Sequence, residues 1–123
     1  MERFKVREEE GILHVRFLGE VHFQSFEEYL SHISSKNLPS KLKILHDNRD
    51  SIPHVKPANI KEVAELFEKF LGKHEEVKIA YIHNDPVGVA LAQLFKNRLT
   101  SKHIKVEIFS GEVAAMKWLI SEN

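Results

Sequence analysis

Apolar positions recur along this chain at two periods, and the switch between them predicts its elements. Phe4 to Arg7 and Ile12 to Gly19 read as strands, separated by the polar, glycine-ended turn Glu8-Glu9-Glu10-Gly11. In the second strand Leu13, Val15 and Phe17 share one face, and Ile12, His14, Arg16 and Leu18 the other, the alternation of a strand buried mainly on one side. From Phe23 to Ser35 the period becomes helical through Phe26, Leu30 and Ile33. Ser25 followed by Glu28 has the spacing of a capping box, and Asn37 and Pro39 end the helix.

Leu42 to His46 reads as the next strand. The helix before it makes a parallel pairing with the second strand the expected one. The following helix starts at Pro57, or at Asn59 with Glu62 as a second capping box. Ile60, Val63, Ala64, Phe67, Phe70 and Leu71 form its apolar stripe, and Gly72 is placed to end it in the left-handed conformation. Val77 to His83 is nearly all apolar, as suits a central strand covered on both faces. Asp85 and Pro86 open a helix that buries Leu91, Leu94, Phe95 and Leu99, with Ala90 and Ala92 for close approach to the sheet. Lys105 to Phe109 is the last strand. Ser110 is placed to cap a final helix, about Gly111 to Ile120, carrying Val113, Met116 and Leu119 with Trp118 beside them. The expected order is ββαβαβαβα: an α/β single domain over residues 1–123, with a mixed, mostly parallel sheet and the first hairpin at its edge.

Composition changes this picture only by exclusion. A hydrophobic fraction of 42% is that of a folded globular chain rather than a disordered one. Lys plus Arg equals Asp plus Glu at 18 each, so the basic excess of a general nucleic-acid binder is absent. With no cysteine there is no disulfide, thiol nucleophile or cysteine-ligated metal. Met1-Glu2-Arg3-Phe4-Lys5 lacks the apolar core of a secretory signal, and no apolar run approaches the roughly 20 residues of a membrane helix. A cytoplasmic protein without a membrane span is the expectation, and a homodimer is as compatible with these totals as a monomer.

Chemistry-bearing side chains concentrate after the Leu42–His46 strand, in Asp47, Asn48, Arg49, Asp50, Ser51, His54, Lys56 and Asn59. His83 and Asn84 close the central strand and are expected at the same sheet edge. Open α/β sheets keep their sites at the carboxyl ends of parallel strands. Two helix N-termini converging there, with Arg49 and Lys56, would favour an acidic ligand or partner surface.

His46, Asp47, Asp50 and His54 are metal-ligand types, but their spacing matches no helical His-Glu-x-x-His pattern, and His46 and Asp47 point to opposite faces of a strand. Ser51, His54 and Asp50 can be written as a catalytic set, yet no Gly-x-Ser-x-Gly elbow exposes the serine. Five glycines without a glycine-rich loop give no phosphate cradle. The simpler role for Asp47, Asn48 and Asp50 is to bond nearby backbone amides and shape the loop. For Asp85 it is helix capping, and for Phe67, Phe70, Phe95 and Trp118 it is core. No cofactor follows from these residues.

Several stretches resemble a known family. Leu18-Gly19-Glu20-Val21, closing a strand before a helix, resembles the Gly-Glu-apolar step of STAS domains, which include the sporulation anti-sigma-factor antagonists. Lys78-Ile79-Ala80-Tyr81-Ile82, and Val106-Glu107-Ile108-Phe109 followed by Ala115, Trp118 and Leu119, resemble the SpoIIAA-like group, whose fold is related to CRAL-TRIO lipid carriers. The resemblance spans almost the whole chain. It implies a sheet of four or five strands with helices packed on it and a binding role rather than a catalytic one. The antagonists' phosphorylatable serine has no counterpart in Val55-Lys56-Pro57-Ala58-Asn59, where neither serine nor threonine occurs; Ser51 lies earlier in the loop. The expected function is a non-enzymatic STAS-like regulatory or binding module. It would recognise a protein partner or small ligand through the loop after the third strand. The alternative is a carrier of a small apolar or amphipathic ligand held between sheet and helices.

Overall fold

The computed structural model describes residues 3–121; Met1 and Glu2, part of the N-terminal stretch read above for a secretory signal, lie outside the described residues. Five strands form the main sheet in the order β1-β2-β4-β6-β7. They are β1 (Phe4–Glu9), β2 (Ile12–Phe17), β4 (Lys41–Asp47), β6 (Glu76–Ile82) and β7 (Ile104–Phe109). The β1–β2 hairpin is antiparallel and lies at the edge, and every other pairing in the sheet is parallel. The hairpin turn is tighter than expected. Strand β1 runs on through Glu8 and Glu9, and only Glu10 and Gly11 turn, at φ 52° and 80°, the left-handed pair of a two-residue hairpin.

The parallel strands follow one another across the sheet without a reversal. Because β-crossover-β units are right-handed, three steps in one direction put all three connecting helices on one face. These are α1 (Phe23–Ser34), α2 (Ile60–Leu71) and α3 (Pro86–Arg98). They enclose the larger core, centred on Phe17, Tyr29, Ile44, Phe67 and Ile79, each fully buried. The last helix, α4 (Glu112–Ile120), covers the opposite face over a smaller core of Ile12, Leu45, Ala80, Ile82, Ala115 and Leu119. Double coverage explains the apolar run of β6, and also why Ile12 is buried on the face expected to be the more open one.

Two short strands add to the expected order. The second predicted strand breaks at Leu18, and β3 (Gly19–Val21) follows; β5 (Ser51–Pro53) follows β4 in the same way. They pair in parallel as a two-stranded sheet. Arg16 pairs with Asp47 and Gly19 with Ser51, so the β4 side holds one residue more, the signature of a bulge that bends both chains.

Several helix ends differ from the sequence reading. Helix α1 begins at Phe23 as expected, but its cap differs: His22 is the N-cap, and the fully buried Ser25 sits in the first turn, where its Oγ accepts from the His22 N–H at 3.0 Å. The Ser25–Glu28 box is therefore replaced by a His22–Ser25 contact. Pro57–Asn59 forms a 3-10 turn ahead of α2, and the Asn59 side chain makes no cap bond, so the Asn59–Glu62 box does not form. Gly72 ends α2 at φ −64°, right-handed rather than left-handed. Gly111, not Ser110, precedes α4, and Val113 is 73% exposed because Ala115 and Leu119 face the sheet instead. In α3, Ala92 and Phe95 are buried, Leu91, Leu94 and Leu99 are half-buried, and Ala90 is exposed. Asp85 caps α3 as expected, its Oδ1 accepting from the Gly88 N–H at 2.9 Å. The α2 stripe is as expected at Ile60, Val63, Ala64, Phe67 and Leu71, with Phe70 half-buried.

Candidate functional site

The β4–β5 turn is held from all sides. The Asn48 N–H donates to the Ile82 carbonyl at 3.0 Å, the Gly19 N–H to the Asp50 carbonyl at 3.1 Å and the His54 N–H to the Val21 carbonyl at 2.8 Å. Ser51 donates to the Asn48 carbonyl through both its N–H, at 3.2 Å, and its Oγ, at 2.7 Å. The segment expected to be a polar loop is thus a bulged continuation of two strands.

Its charged side chains are mutually neutralised. Arg49 forks onto Asp47 through Nε at 2.9 Å and Nη2 at 2.8 Å, and the Asp47 Oδ1 also accepts from the Arg49 N–H. This fork holds the Asp47 carboxyl below its ordinary range. Arg16 on β2 binds Asp50, with Nε at 3.0 Å. His54 faces Glu20 at 3.1 Å and stacks on His22 with centroids 4.8 Å apart. Asp47 therefore does shape the turn as expected, whereas Asp50 is engaged by an arginine side chain rather than a backbone amide. The written Ser51, His54 and Asp50 set is not assembled, since each is engaged elsewhere. His46 lies in the core, hydrogen-bonded through Nε2 to the Tyr29 hydroxyl at 2.8 Å, and no cluster of three or more His, Asp or Glu among the described residues is arranged to hold a metal. Lys56 and Asn84 are exposed, and Asn59 is half-buried at the 3-10 turn.

Two of the expected site residues meet inside the fold rather than on its surface. Asn48 is 7% exposed and His83 is 6% exposed. The Asn48 Nδ2 lies 3.4 Å from the His83 Nε2, while the Asn48 Oδ1 and the His83 Nδ1 have no hydrogen-bond partner. Both side chains line a pocket of about 60 Å³ between the β3–β5 pair, α2 and α3. Apart from Asn48, Ser51, His83 and Tyr81 with its hydroxyl, the walls are apolar; Val21, Phe26, Val63 and Phe95 are among them. Burial lowers the His83 pKa against the opposing pull of Asp85 and Asp47, so its ring is uncharged near neutrality. Gly88 permits this packing. A Cβ there would lie 2.4 Å from the His83 Nδ1 and 2.9 Å from the Asp85 Oδ2.

Behind the pocket a row of rings runs into the core. His83 stacks on Tyr81 with centroids 6.3 Å apart, Tyr81 lies 4.7 Å from His46, and His46 stacks on Phe17 at 5.5 Å. Burial, reinforced by His83, pushes the His46 imidazole down to about 3. Its Nδ1 is also unpaired. Sequence reasoning missed the apolar half of this pocket. Its one legible signal was Gly88, a glycine in the first turn of an otherwise ordinary helix, which asks for a close neighbour.

No family model matches the chain, and no curated protein matches it. Among solved structures, it is similar over 94% of its length, and over 91% of the other chain, to a protein of the DUF3478 family from Shewanella loihica PV-4, described as uncharacterised and as having a SpoIIAA-like fold. The TM-score is 0.60 and the identity 12%. The fold is SpoIIAA-like. At that identity the likeness speaks for the fold alone, and it agrees with the mixed, mostly parallel sheet and the helices described above. Among the described residues of this SpoIIAA-like chain no helix is long and apolar enough to cross a membrane.

Proposed function

We propose that this chain is a non-enzymatic binding module of regulatory type, with its contact surface at the carboxyl edge of the sheet. That surface runs from Asp47 to Asn59, with His83 and Asn84 beside it. One observation carries the reading: Asn48 and His83 are brought together from the ends of two strands, and both side chains line one largely apolar pocket. The ion pairs of Asp47 and Asp50 with arginines, and the contact of His54 with Glu20, favour recognition over catalysis, because these groups already hold partners within the fold. The lipid-carrier alternative is less well supported: pockets for drug-sized ligands run to roughly 300–1,000 Å³, far above the pocket beneath the β4–β5 turn, and the larger cavity of about 310 Å³ at the other end of the sheet is lined mainly by the charged side chains of Lys41, Lys43, Glu76 and Lys78. The α2 start, Lys56-Pro57-Ala58-Asn59, offers no hydroxyl for a phospho-switch.

The test is amide hydrogen exchange of the folded protein in the presence of high-mass and low-mass fractions of a native lysate. Protection is expected at residues 47–59 and 83–88, weakened in Arg49→Ala and His54→Ala. Protection confined to the opposite edge, at residues 36–40, 72–75 and 99–103, would refute the assignment.

A further inference from the structure

We infer that the cavity at the amino ends of β4, β6 and β7 binds a small anion carrying two or more negative charges, with condensed phosphate as the chemistry that fits it. The site lies at the end of the sheet opposite the contact surface proposed above and does not depend on it.

Strand register assembles the charge. Lys43 on β4 pairs with Lys78 on β6, and Lys78 pairs with Lys105 on β7, so three lysines stand side by side on the face that carries α4. On the same face, at the first residues of their strands, Lys41 pairs with Glu76. Lys41, Lys43, Glu76 and Lys78, with Leu42 and Ser121, line a cavity of about 310 Å³. Four lysines thus gather around one carboxylate, in a chain whose formal net charge is zero. Like charges directly opposite on neighbouring strands repel. Lys78 registers this: burial, and after it the charge of Lys43, lowers its pKa, with Lys105 acting in the same direction and Glu76 against it. An anion in the cavity relieves that repulsion.

The four lysines divide into two roles. Lys78 is 3% exposed and gives its protons to the Trp118 carbonyl and to the carbonyl and Oγ of Ser121, so it contributes charge rather than a bond. Its donation also offsets the carbonyl end of α4, which by itself disfavours an anion. Lys105 is exposed and stands 3.9 Å from Glu76. Lys41 and Lys43, exposed and half-buried, take part in no ion pair among the described residues. Lys41 and Lys43 are therefore the direct ligands, with Lys105 beside them.

The spacing sets the class. Two residues along one strand separate Lys41 from Lys43 by roughly 7 Å at Cα, and two strand steps separate Lys43 from Lys105 by roughly 10 Å. Cations so spread suit an anion with charge on more than one group. Lysines act as point charges without the planar fork that arginine offers a carboxylate, and no arginine lines the cavity. The site reads charge rather than carboxylate shape, which favours a diphosphate over a monocarboxylate.

The probes are inorganic diphosphate, inorganic phosphate and acetate, titrated into the full chain and followed by NMR of residues 41–43, 76–78 and 105. Diphosphate is expected to give saturable shifts there, with a Kd of roughly 0.1–1 mM at an ionic strength of about 0.02 M. Phosphate should bind more weakly, and acetate at least about tenfold more weakly than diphosphate. Lys43→Met should weaken diphosphate at least about fivefold, whereas Lys43→Arg, which keeps the charge, should stay within about twofold of wild type. Lys61→Met, on the exposed side of α2, should bind as wild type does. Diphosphate should also raise the thermal midpoint further than sodium chloride of equal ionic strength, and Lys43→Met should abolish the excess. Should Lys43→Met not fold, Lys41→Met decides in its place. Absence of saturable shifts at these residues, acetate binding as tightly as diphosphate, or wild-type affinity in the folded methionine variant overturns the inference.

Discussion

Lys78 is a lysine on β6, an interior strand of a doubly covered sheet, and its replacement gives the sharpest test of how α4 is held. The residue is 3% exposed. Its ammonium donates to the Trp118 carbonyl at 2.9 Å, the Ser121 carbonyl at 3.0 Å and the Ser121 Oγ at 3.2 Å, and lies 4.8 Å from the centroid of the Trp118 ring. The last carbonyls of a helix have no intrahelical partner, so a strand residue here caps a helix from across the core. Lys78→Met keeps the apolar stem and removes the donors. Two terms oppose each other. A hydrogen bond from a charged group contributes about 1.5–3 kcal/mol. Against it stand the desolvation of the ammonium, which lowers its pKa, and the like charges of Lys43 and Lys105 directly opposite on the neighbouring strands. The Trp118 carbonyl keeps two other donors, the Ser121 N–H and Oγ, so the main loss falls on the Ser121 carbonyl. Trp118 and Ser121 are only half-buried, which keeps the desolvation cost partial. The lost bonds therefore win, and Lys78→Met should destabilise by about 1–2 kcal/mol. Urea denaturation reads the total, and hydrogen exchange of residues 116–121 should speed up locally. Lys43→Met, which removes only a repelling neighbour, should stay within about ±0.5 kcal/mol of wild type. A Lys78→Met midpoint at or above wild type, with unchanged exchange in α4, would refute the capping role.

Phe67 is fully buried against Phe26, Tyr29 and Phe95, so Phe67→Ala should cost about 3–5 kcal/mol; an unchanged denaturation midpoint would remove it from the core. Ser25→Ala leaves the His22 N–H without its acceptor and should cost about 0.5–2 kcal/mol, with faster exchange at His22, whereas exchange at wild-type rate would show that water replaces the bond. Stability should also fall in acid. The native His46 resists protonation down to about 3, while the unfolded chain takes up that proton near pH 6.5, so stability present above about pH 6.5 is lost toward pH 3 at no more than about 1.4 kcal/mol per unit. His46→Phe should lose about 2–3 kcal/mol less than wild type between neutrality and about pH 4.5; an equal loss would place the acid-sensitive group elsewhere.

Much of this architecture is written locally. Alternation at Leu13, Val15 and Phe17, the stripe Ile60, Val63, Ala64, Phe67 and Leu71, and the Asp85-Pro86 start each reflect a period or a cap set by neighbours within a turn or two. A parallel sheet with an edge hairpin follows from their order. What the sequence could not carry are interactions between residues far apart. Ser25 has the spacing of an N-cap toward Glu28, yet His22 is the cap of a helix that starts at Phe23 as read, and Ser25 lies inside its first turn, buried and bonded to the His22 N–H. Lys78 reads as a polar interruption of an apolar strand until Ser121 comes within reach of it. The candidate site divides in the same way. The cluster from Asp47 to Asn59, with His83 and Asn84, is legible as a density of polar types. Which members are spent on ion pairs and which stay unpaired is a matter of tertiary placement. Arg16 reaches Asp50 across a strand pairing, and the β3–β5 bulge turns Asn48 inward to His83, 35 positions along the chain. Polar type is a property of each residue alone, whereas an unsatisfied hydrogen bond is a property of everything packed around it, and so only the fold could reveal the pocket.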